Sequence, residues 1–435
     1  MISAPDRRSD QGLAALGLMN RHVFRSRLAA SLARLRLDDR QIALFAIDID
    51  GFRALNAAIG PGGGNRVLAH IARCLEPFTS ENGYLTRLGA DEYALALFGV
   101  GGRGDVLAAA EQIRAAIAQP LRLAGLELTI SVSVGVALAP DSAGTEEELM
   151  RAADIALLTA KAAGRGRTHL YSVEMGKAFL RRFQVAHAID EGLVRGGFSV
   201  VYQPKVSLTN ASILGLEALC RLSHPRYGAV GPDEFIPLAE ETGQIADIGQ
   251  IVLTEACQFA SFCNAGRARP ITVAINVSAR QLADESFLPM LARVMHETGC
   301  SPDWIELELT ESAILDDSPV AMQASADLVA LGLGLTLDDF GAGYSTLGYL
   351  HRLPVRALKI DKAFVMGMDT NKRQKTLVRA IINLARELDL TTVAEGIETA
   401  EVAAMLLSLG CNVGQGYHFH RPLGPDATLS LLAGH

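Results

Sequence analysis

The sequence predicts two folds in tandem: an α+β domain with an antiparallel sheet over residues 1–175, then an α/β (β/α)8 barrel over residues 176–435. Three observations carry this reading. At 435 residues the chain exceeds one ordinary domain. Beyond residue 195, eight apolar strand-like runs recur with helix-period segments between the later ones, the count and alternation of a closed barrel. Before residue 175, a hairpin and single strand-like runs mix with helical stretches, an order that suits an antiparallel sheet.

The first domain opens on an amphipathic pattern from Leu13 to Leu37, with apolar residues at mixed three and four spacing. Gln41 to Ile49 reads as a strand ending in Asp48, Ile49 and Asp50. A helical stretch follows the Gly-rich turn at 60–64. Tyr84–Leu88 and Tyr93–Phe98 form a hairpin whose tip, Gly89-Ala90-Asp91-Glu92, carries two acids. A strand is predicted over Leu128–Ala137, and a helix starting at Glu146 ends near Lys161 and Arg165. A polar helical pattern near 174–193 makes the connection to the second domain stiff.

The barrel runs are Phe198–Tyr202, Ile213–Leu219, Ile271–Ile275, Ile305–Leu309, Leu333–Leu337, Ala357–Ile360, Thr391–Ala394 and Val413–Phe419. Helical segments are predicted at 283–299, 318–331, 372–388 and 400–409. The stretch 230–249 reads as a dimer or substrate-lid helix, or as an ordinary barrel helix.

Composition excludes several classes of function. A content of 49% hydrophobic and 20% charged residues describes a globular chain with ample core. A net charge of -8 argues against polynucleotide binding through a basic face, and leaves room for a small phosphate ligand held through metals. The six cysteines show no CxxC pair or metal-ligand spacing, and read as buried small hydrophobes in a reducing compartment. No apolar run is long enough to span a bilayer. The Arg-rich opening lacks the apolar core of a targeting peptide, so a cytoplasmic protein without membrane partners is expected.

Polar residues fall at the C-terminal ends of the barrel runs. Glu217 sits in the second, Asn276 follows the third, Glu308 and Glu311 end the fourth, and Asp338 and Asp339 end the fifth. Lys359 and Asp361 end the sixth, Glu395 and Glu398 follow the seventh, and Gln415 falls in the eighth. Singly, each reads as a helix cap or surface charge. Together they converge on one face of a barrel, where several carboxylates around one lysine would repel one another without cations. Oxygen donors with one amide and no Cys or His favour Mg2+ or Mn2+. Two such ions bridged by Asp338 or Asp339 would suit in-line attack of water on a phosphodiester, with Lys359 orienting the water or stabilising developing charge.

Two resemblances sharpen this. Residues 10–175 resemble the diguanylate cyclase (GGDEF) family, through DIDGFRALN at 48–56, RLGADEY at 87–93, SVSVG at 131–135 and DIALLTAKAAGRGR at 154–167. The resemblance implies a nucleotidyl-cyclase-like palm fold. It implies metal ligation by Asp48, Asp91 and the Ile49 carbonyl, with Phe52, Arg53, Lys161 and Arg165 facing a triphosphate and Asn56 the guanine. The sequence departs from the family at Ala90, where a glycine is usual, at Asn65, where an aspartate pairs with the guanine edge, and at Pro61, where a histidine is usual. Ser80 and Gly83 replace an Arg-x-x-Asp product-inhibition motif. A carboxylate accepts two N–H bonds from guanine, whereas a carboxamide turns its own donor toward one of them. The departures imply a degenerate cyclase that retains GTP binding as a regulatory domain.

Residues 180–430 resemble the EAL family of cyclic di-GMP phosphodiesterases, through YQPKV at 202–206, EALCR at 217–221, INVS at 275–278, ELTES at 308–312, DDFGAGYS at 338–345, KIDK at 359–362, AEGIE at 394–398 and QGYHF at 415–419. The resemblance implies a TIM-like barrel with an antiparallel first strand, and hydrolysis of cyclic di-GMP to linear pGpG. It implies metal binding by Glu217, Asn276, Glu308, Asp338, Asp339 and Glu395, and places Lys359 beside the attacking water. Gln203 and Arg221 would hold substrate, Glu311 would fix the loop after Asp339, and Gln415 would join the metal or water shell. Members of the family commonly form homodimers through the barrel and that loop. A cyclic di-GMP effector without turnover, or a bifunctional cyclase and phosphodiesterase, are the alternatives. No catalytic barrel position is lost, which favours the hydrolase.

Overall fold

The computed structural model describes residues 18–35, 41–79, 83–123, 125–310, 319–341 and 353–434. The chain divides into two compact units, Met1–Arg181 and Arg182–His435. The dividing point falls inside one helix, Val173–Arg195.

In the first unit the sheet comprises β1 (Gln41–Ile49), β2 (Gly83–Arg87), β3 (Glu92–Val100), β6 (Val132–Ala139) and β7 (Thr168–Leu170), in the order β2-β3-β1-β6-β7. All pairs are antiparallel except β6 with β7. Between β3 and β6 lies a separate hairpin, β4 (Leu121–Leu123) with β5 (Leu126–Leu128). Central β1 is apolar on both faces, because each face meets its own core. Phe45, Ile47 and Ile49 pack with the helices Phe52–Leu75 and Arg103–Ile117, while Ile42 and Leu44 pack with Arg21–Leu35 and Glu146–Ala162. The last helix lies close on β6 because Gly135 has no side chain; a Cβ there would meet the Leu157 backbone nitrogen at 2.1 Å.

Two expectations are corrected here. The predicted strand Leu128–Ala137 is interrupted, since Leu128 belongs to the small hairpin and the sheet strand runs from Val132 to Ala139. The Gly-rich segment 60–64 is no turn between elements but a kink inside Phe52–Leu75, where Gly60 (φ 73°) precedes Pro61. Of the predicted opening helix Leu13–Leu37, Arg21–Leu35 is helical and Leu18–Asn20 is not, while residues 13–17 and 36–37 lie outside the described ones.

In the second unit, β8 (Phe198–Ser207), β9 (Ile213–His224), β11 (Thr272–Val277), β12 (Ile305–Thr310), β13 (Gly334–Phe340), β14 (Ala357–Ile360), β15 (Thr391–Ala394) and β16 (Val413–Gly414) close into an eight-stranded barrel. β8 is antiparallel to both neighbours, β9 and β16, and every other pair in the ring is parallel. A short strand, β10 (Gly228–Val230), extends β9 as a hairpin. Strand runs such as Leu335, Leu337, Leu358 and Ile360 are fully buried against the surrounding helices. Tyr202 stacks on Phe259 of the helix Ile245–Asn264 with ring centroids 3.9 Å apart. The eighth run is shorter than predicted: only Val413 and Gly414 pair, and the chain then turns where Gly416 passes so near Ile397 that a Cβ would lie 2.1 Å from its carbonyl oxygen.

Candidate active site

Parallel strands end together, so side chains from many separate sequence positions meet at one rim. Lys359 on β14 is the centre of that rim. Its ammonium lies 2.6 Å from Glu395 Oε1, 2.7 Å from Glu308 Oε2, 3.1 Å from Asp338 Oδ2 and 3.5 Å from Glu217 Oε1. Glu308 is 0% and Lys359 1% exposed, so these charges are paired inside the protein rather than solvated.

Neighbouring strands hold the carboxylates in place. Gln203 on β8 and Glu217 on β9 are direct cross-strand partners, as are Asn276 on β11 and Glu308 on β12. Asn276 Nδ2 donates to Glu217 Oε1 at 2.8 Å, and Gln415 Nε2 donates to Glu217 Oε2 at 2.6 Å and to Gln203 Oε1 at 2.9 Å. Gln203 Nε2 in turn donates to the His420 carbonyl at 3.0 Å. Glu217 thus has both oxygens fixed.

The adjacent Asp338 and Asp339 sit at an irregularity. The β13–β14 register shifts between Leu337 and Phe340, and Asp339 takes a left-handed φ of 55°. Bulges of this kind re-aim side chains beside active sites, here in place of strict alternation of two successive acids. Asp338 Oδ1 accepts from the Asp339 backbone N–H at 2.8 Å.

Burial and crowding push these carboxyls apart in acidity. Burial raises Glu308 to about 8 and Glu395 to about 7, against the pull of Lys359. Asp339 is raised to about 6 by burial and by the neighbouring Asp338. Burial also opposes ionisation of Glu217, but Lys359, Asn276 and Gln415 outweigh it and hold Glu217 at about 2. Burial likewise opposes the Lys359 charge, and four carboxylates override it, raising its pKa well above the ordinary lysine value.

A cavity of about 460 Å³ opens over this cluster, lined by Gln203, Glu217, Asp338, Glu395, Gln415 and Tyr417 among others. Arg421 stacks over Tyr417 at 4.4 Å from the ring centroid. Arg221 is half-buried on β9 and donates to the Cys220 carbonyl at 2.8 Å. Asp361, by contrast, caps the helix Lys362–Val365. Glu311 and the loop following Gly341 lie outside the described residues.

The donor set suits a hard divalent cation: carboxylates and amides converge without sulfur, and Gln415 Oε1 is buried with no donor among the described residues. His187, Glu191 and His224 also come together, with ligand atoms within 4.8 Å of one another. There, His224 Nδ1 accepts from the Arg226 and Tyr227 backbone N–H groups at 3.2 and 3.3 Å, which assigns the ring proton to Nε2. That nitrogen lies 2.7 Å from Glu191 and donates to it, which leaves no lone pair for a metal.

In the first unit, Asp48 Oδ2 lies 2.7 Å from Lys161 Nζ, and the Ile49 backbone N–H donates to the Asp91 carbonyl at 3.3 Å. Burial raises the Asp48 pKa. Asp50 serves the framework: its carboxylate accepts from Ser131 Oγ, Ser133 Oγ and the Gly166 N–H at 2.7, 2.6 and 3.0 Å. The Phe52 side chain belongs to the core, so only its backbone can face a ligand. Arg53, Asn65 and Arg165 are exposed, and Asn56 Oδ1 is buried without a donor among the described residues. Ala90 has no left-handed φ, so the hairpin tip accepts its side chain without strain.

The diguanylate cyclase GGDEF domain family matches residues 15–167, and the EAL domain family matches residues 186–422. The bifunctional diguanylate cyclase/cyclic di-GMP phosphodiesterase MucR of Pseudomonas aeruginosa is 35% identical over 416 residues, 96% of this chain and 61% of MucR. The cyclic di-GMP phosphodiesterase NbdA of the same species is 32% identical over 408 residues, 94% of this chain and 52% of NbdA. The chain therefore spans between half and two thirds of the length of these relatives. Among solved structures, the PaMucR phosphodiesterase in complex with c-di-GMP is 38% identical with a TM-score of 0.55, over 56% of this chain and 99% of that one. An EAL enzyme in its cGMP-bound form is 27% identical with a TM-score of 0.57, over 72% and 91%.

Proposed function

The chain belongs to the EAL domain family, with a GGDEF domain ahead of the EAL domain, and we propose that its barrel hydrolyses cyclic di-GMP to linear pGpG. The carrying observation is one buried lysine, Lys359, shared by Glu217, Glu308, Asp338 and Glu395 beneath an open cavity. Such a cluster is built for cations and for a phosphate that arrives with them.

Glu217, Asn276, Glu308, Asp338, Asp339 and Glu395 would hold Mg2+ or Mn2+, which as a pair would activate water and offset phosphate charge when bound. In the reaction, a water oxygen bonds to phosphorus and gives up one proton, the bond from phosphorus to the 3′ oxygen breaks, and the leaving oxygen takes up a proton, so that one water is added overall. Lys359 steadies the developing negative charge near the attacking water. Gln415 and Asn276 keep Glu217 ionised and oriented. Gln203, at the cavity wall, and Arg221, further along β9, bind substrate, and Glu311 fixes the loop after Asp339. The barrel acts as a homodimer in the cytoplasm.

The first unit serves as a regulatory GTP site that has lost cyclase turnover. Asp48 and Lys161 supply the metal and phosphate side of that site, while Asn65 and Ala90 stand against catalysis. A bifunctional cyclase and phosphodiesterase is the second reading, favoured by the likeness to MucR. Chromatography of nucleotides after incubation with cyclic di-GMP, and separately with GTP, distinguishes the two.

A further inference from the structure

Beneath the rim cluster lies a second polar layer that the proposed mechanism does not use. Lys205 is two residues from Gln203 on β8, Glu306 two residues from Glu308 on β12, and Thr336 two residues from Asp338 on β13. Alternation along a strand puts each pair on one face, the barrel interior. An apolar layer is the usual filling there. Instead, Lys205 is 3% and Thr336 0% exposed.

Because β8 is antiparallel, its Lys205 starts from the far end of the barrel, opposite Gly215. A Cβ at Gly215 would lie 2.7 Å from Thr272 Oγ1 and 3.1 Å from the Thr272 carbonyl oxygen, with Lys205 Cε at an ordinary contact distance of 3.7 Å. The ammonium lies 3.2 Å from Glu308 Oε1 and 3.2 Å from Glu306 Oε2. Thr336 Oγ1 donates to the other Glu306 oxygen, Oε1. Glu308 is therefore held between two lysines, with Oε1 on Lys205 and Oε2 on Lys359.

We propose that Lys205, braced by Glu306 and Thr336, is a positioning residue that anchors Glu308 Oε1 from below and so fixes the orientation in which Glu308 meets Lys359 and a divalent cation at the rim. This rests on the metal-dependent reading of the rim cluster. A buried carboxylate without that partner would turn to satisfy its free oxygen elsewhere, and its donor would leave the geometry that the other carboxylates share. Partners that orient a metal ligand are worth about 10–100-fold in metal affinity.

The test is Mn2+ binding to the 435-residue chain without nucleotide, read from the loss of the free-ion electron paramagnetic resonance signal. Wild type is compared with Lys205→Met and with the near-isosteric Thr336→Val, and turnover of cyclic di-GMP is then followed against Mn2+ concentration. Lys205→Met is expected to weaken Mn2+ binding by about 10–100-fold, with kcat recovering at saturating Mn2+ and KM for the nucleotide unchanged. Thr336→Val is expected to shift binding the same way by about threefold or more, and decides the matter if Lys205→Met does not fold. Unchanged Mn2+ affinity in a folded variant overturns the assignment, as does a kcat loss that excess Mn2+ leaves in place. If wild type itself takes up no Mn2+, the metal reading of the rim falls first and this assignment with it.

Discussion

Lys359 Nζ and Glu308 Oε2 lie 2.7 Å apart in a site where neither residue reaches solvent. A lysine among four carboxylates is the counter-ion of the metal-free protein as well as a candidate catalytic group, and its two roles separate experimentally.

Replacing Lys359 with Met strands several buried carboxylates. Breaking a buried pair from one side costs about 3–5 kcal/mol, so metal-free Lys359→Met is expected to melt well below wild type by calorimetry. Added Mn2+ recovers much of the melting temperature, because a cation replaces the lost charge. It does not recover turnover, which falls by about 10²–10³-fold. Recovery of both would remove Lys359 from the reaction.

Acidity and metal uptake are coupled through Glu308 and Glu395, raised to about 8 and about 7. Their carboxyls ionise near 4.3 when unfolded, so between about pH 4.3 and 8 the folded metal-free protein holds more protons than the unfolded chain. Its stability therefore falls as pH rises through that window and levels off above it. A cation must displace the same protons, so Mn2+ affinity is expected to rise between about pH 6 and 8, with proton release measurable by titration in buffers of different ionisation heat. Affinity independent of pH would contradict the assignment of these carboxylates as ligands.

Asp338→Asn keeps the shape of the side chain and removes a charge at the register shift of β13. It is expected to lower kcat by at least about 10²-fold while cyclic di-GMP still binds, as measured by single-turnover chemistry and equilibrium binding. Full turnover would count against the two-ion picture.

Several parts of this arrangement are legible in the sequence. The runs Ala357–Ile360 and Thr391–Ala394 read as strands to the residue, because buried strands are short, apolar and bounded by polar or turn residues. The convergence of Glu217, Glu308, Asp338 and Lys359 follows once each is assigned to a strand end. Lys205 is different. Its importance depends on β8 running against its neighbours, a direction that periodicity does not encode, so YQPKV offers no signal beyond an inward-facing position. The two-residue length of β16 is equally invisible, because the close pass of Gly416 beside Ile397 is a tertiary constraint. Asp50, which the sequence places beside Asp48, is committed to Ser131, Ser133 and Gly166, and that commitment joins segments far apart in the chain.

For the first unit, GTP titrated into the 435-residue chain with Mg2+ is expected to release heat of binding at concentrations on the order of millimolar or below. Lys161→Ala should weaken it, since that ammonium lies 2.7 Å from Asp48 and is assigned to the phosphate side of the proposed site. Absence of any binding heat would end the regulatory reading.

The most direct test is incubation of the purified 435-residue chain with cyclic di-GMP and Mn2+, with nucleotides separated by chromatography over time. Steady conversion to pGpG that stops when the metal is chelated is expected. Cyclic di-GMP that binds yet stays intact under Mg2+ and Mn2+ alike would contradict it, and would make the barrel a receptor despite the lysine and carboxylates assembled at its rim.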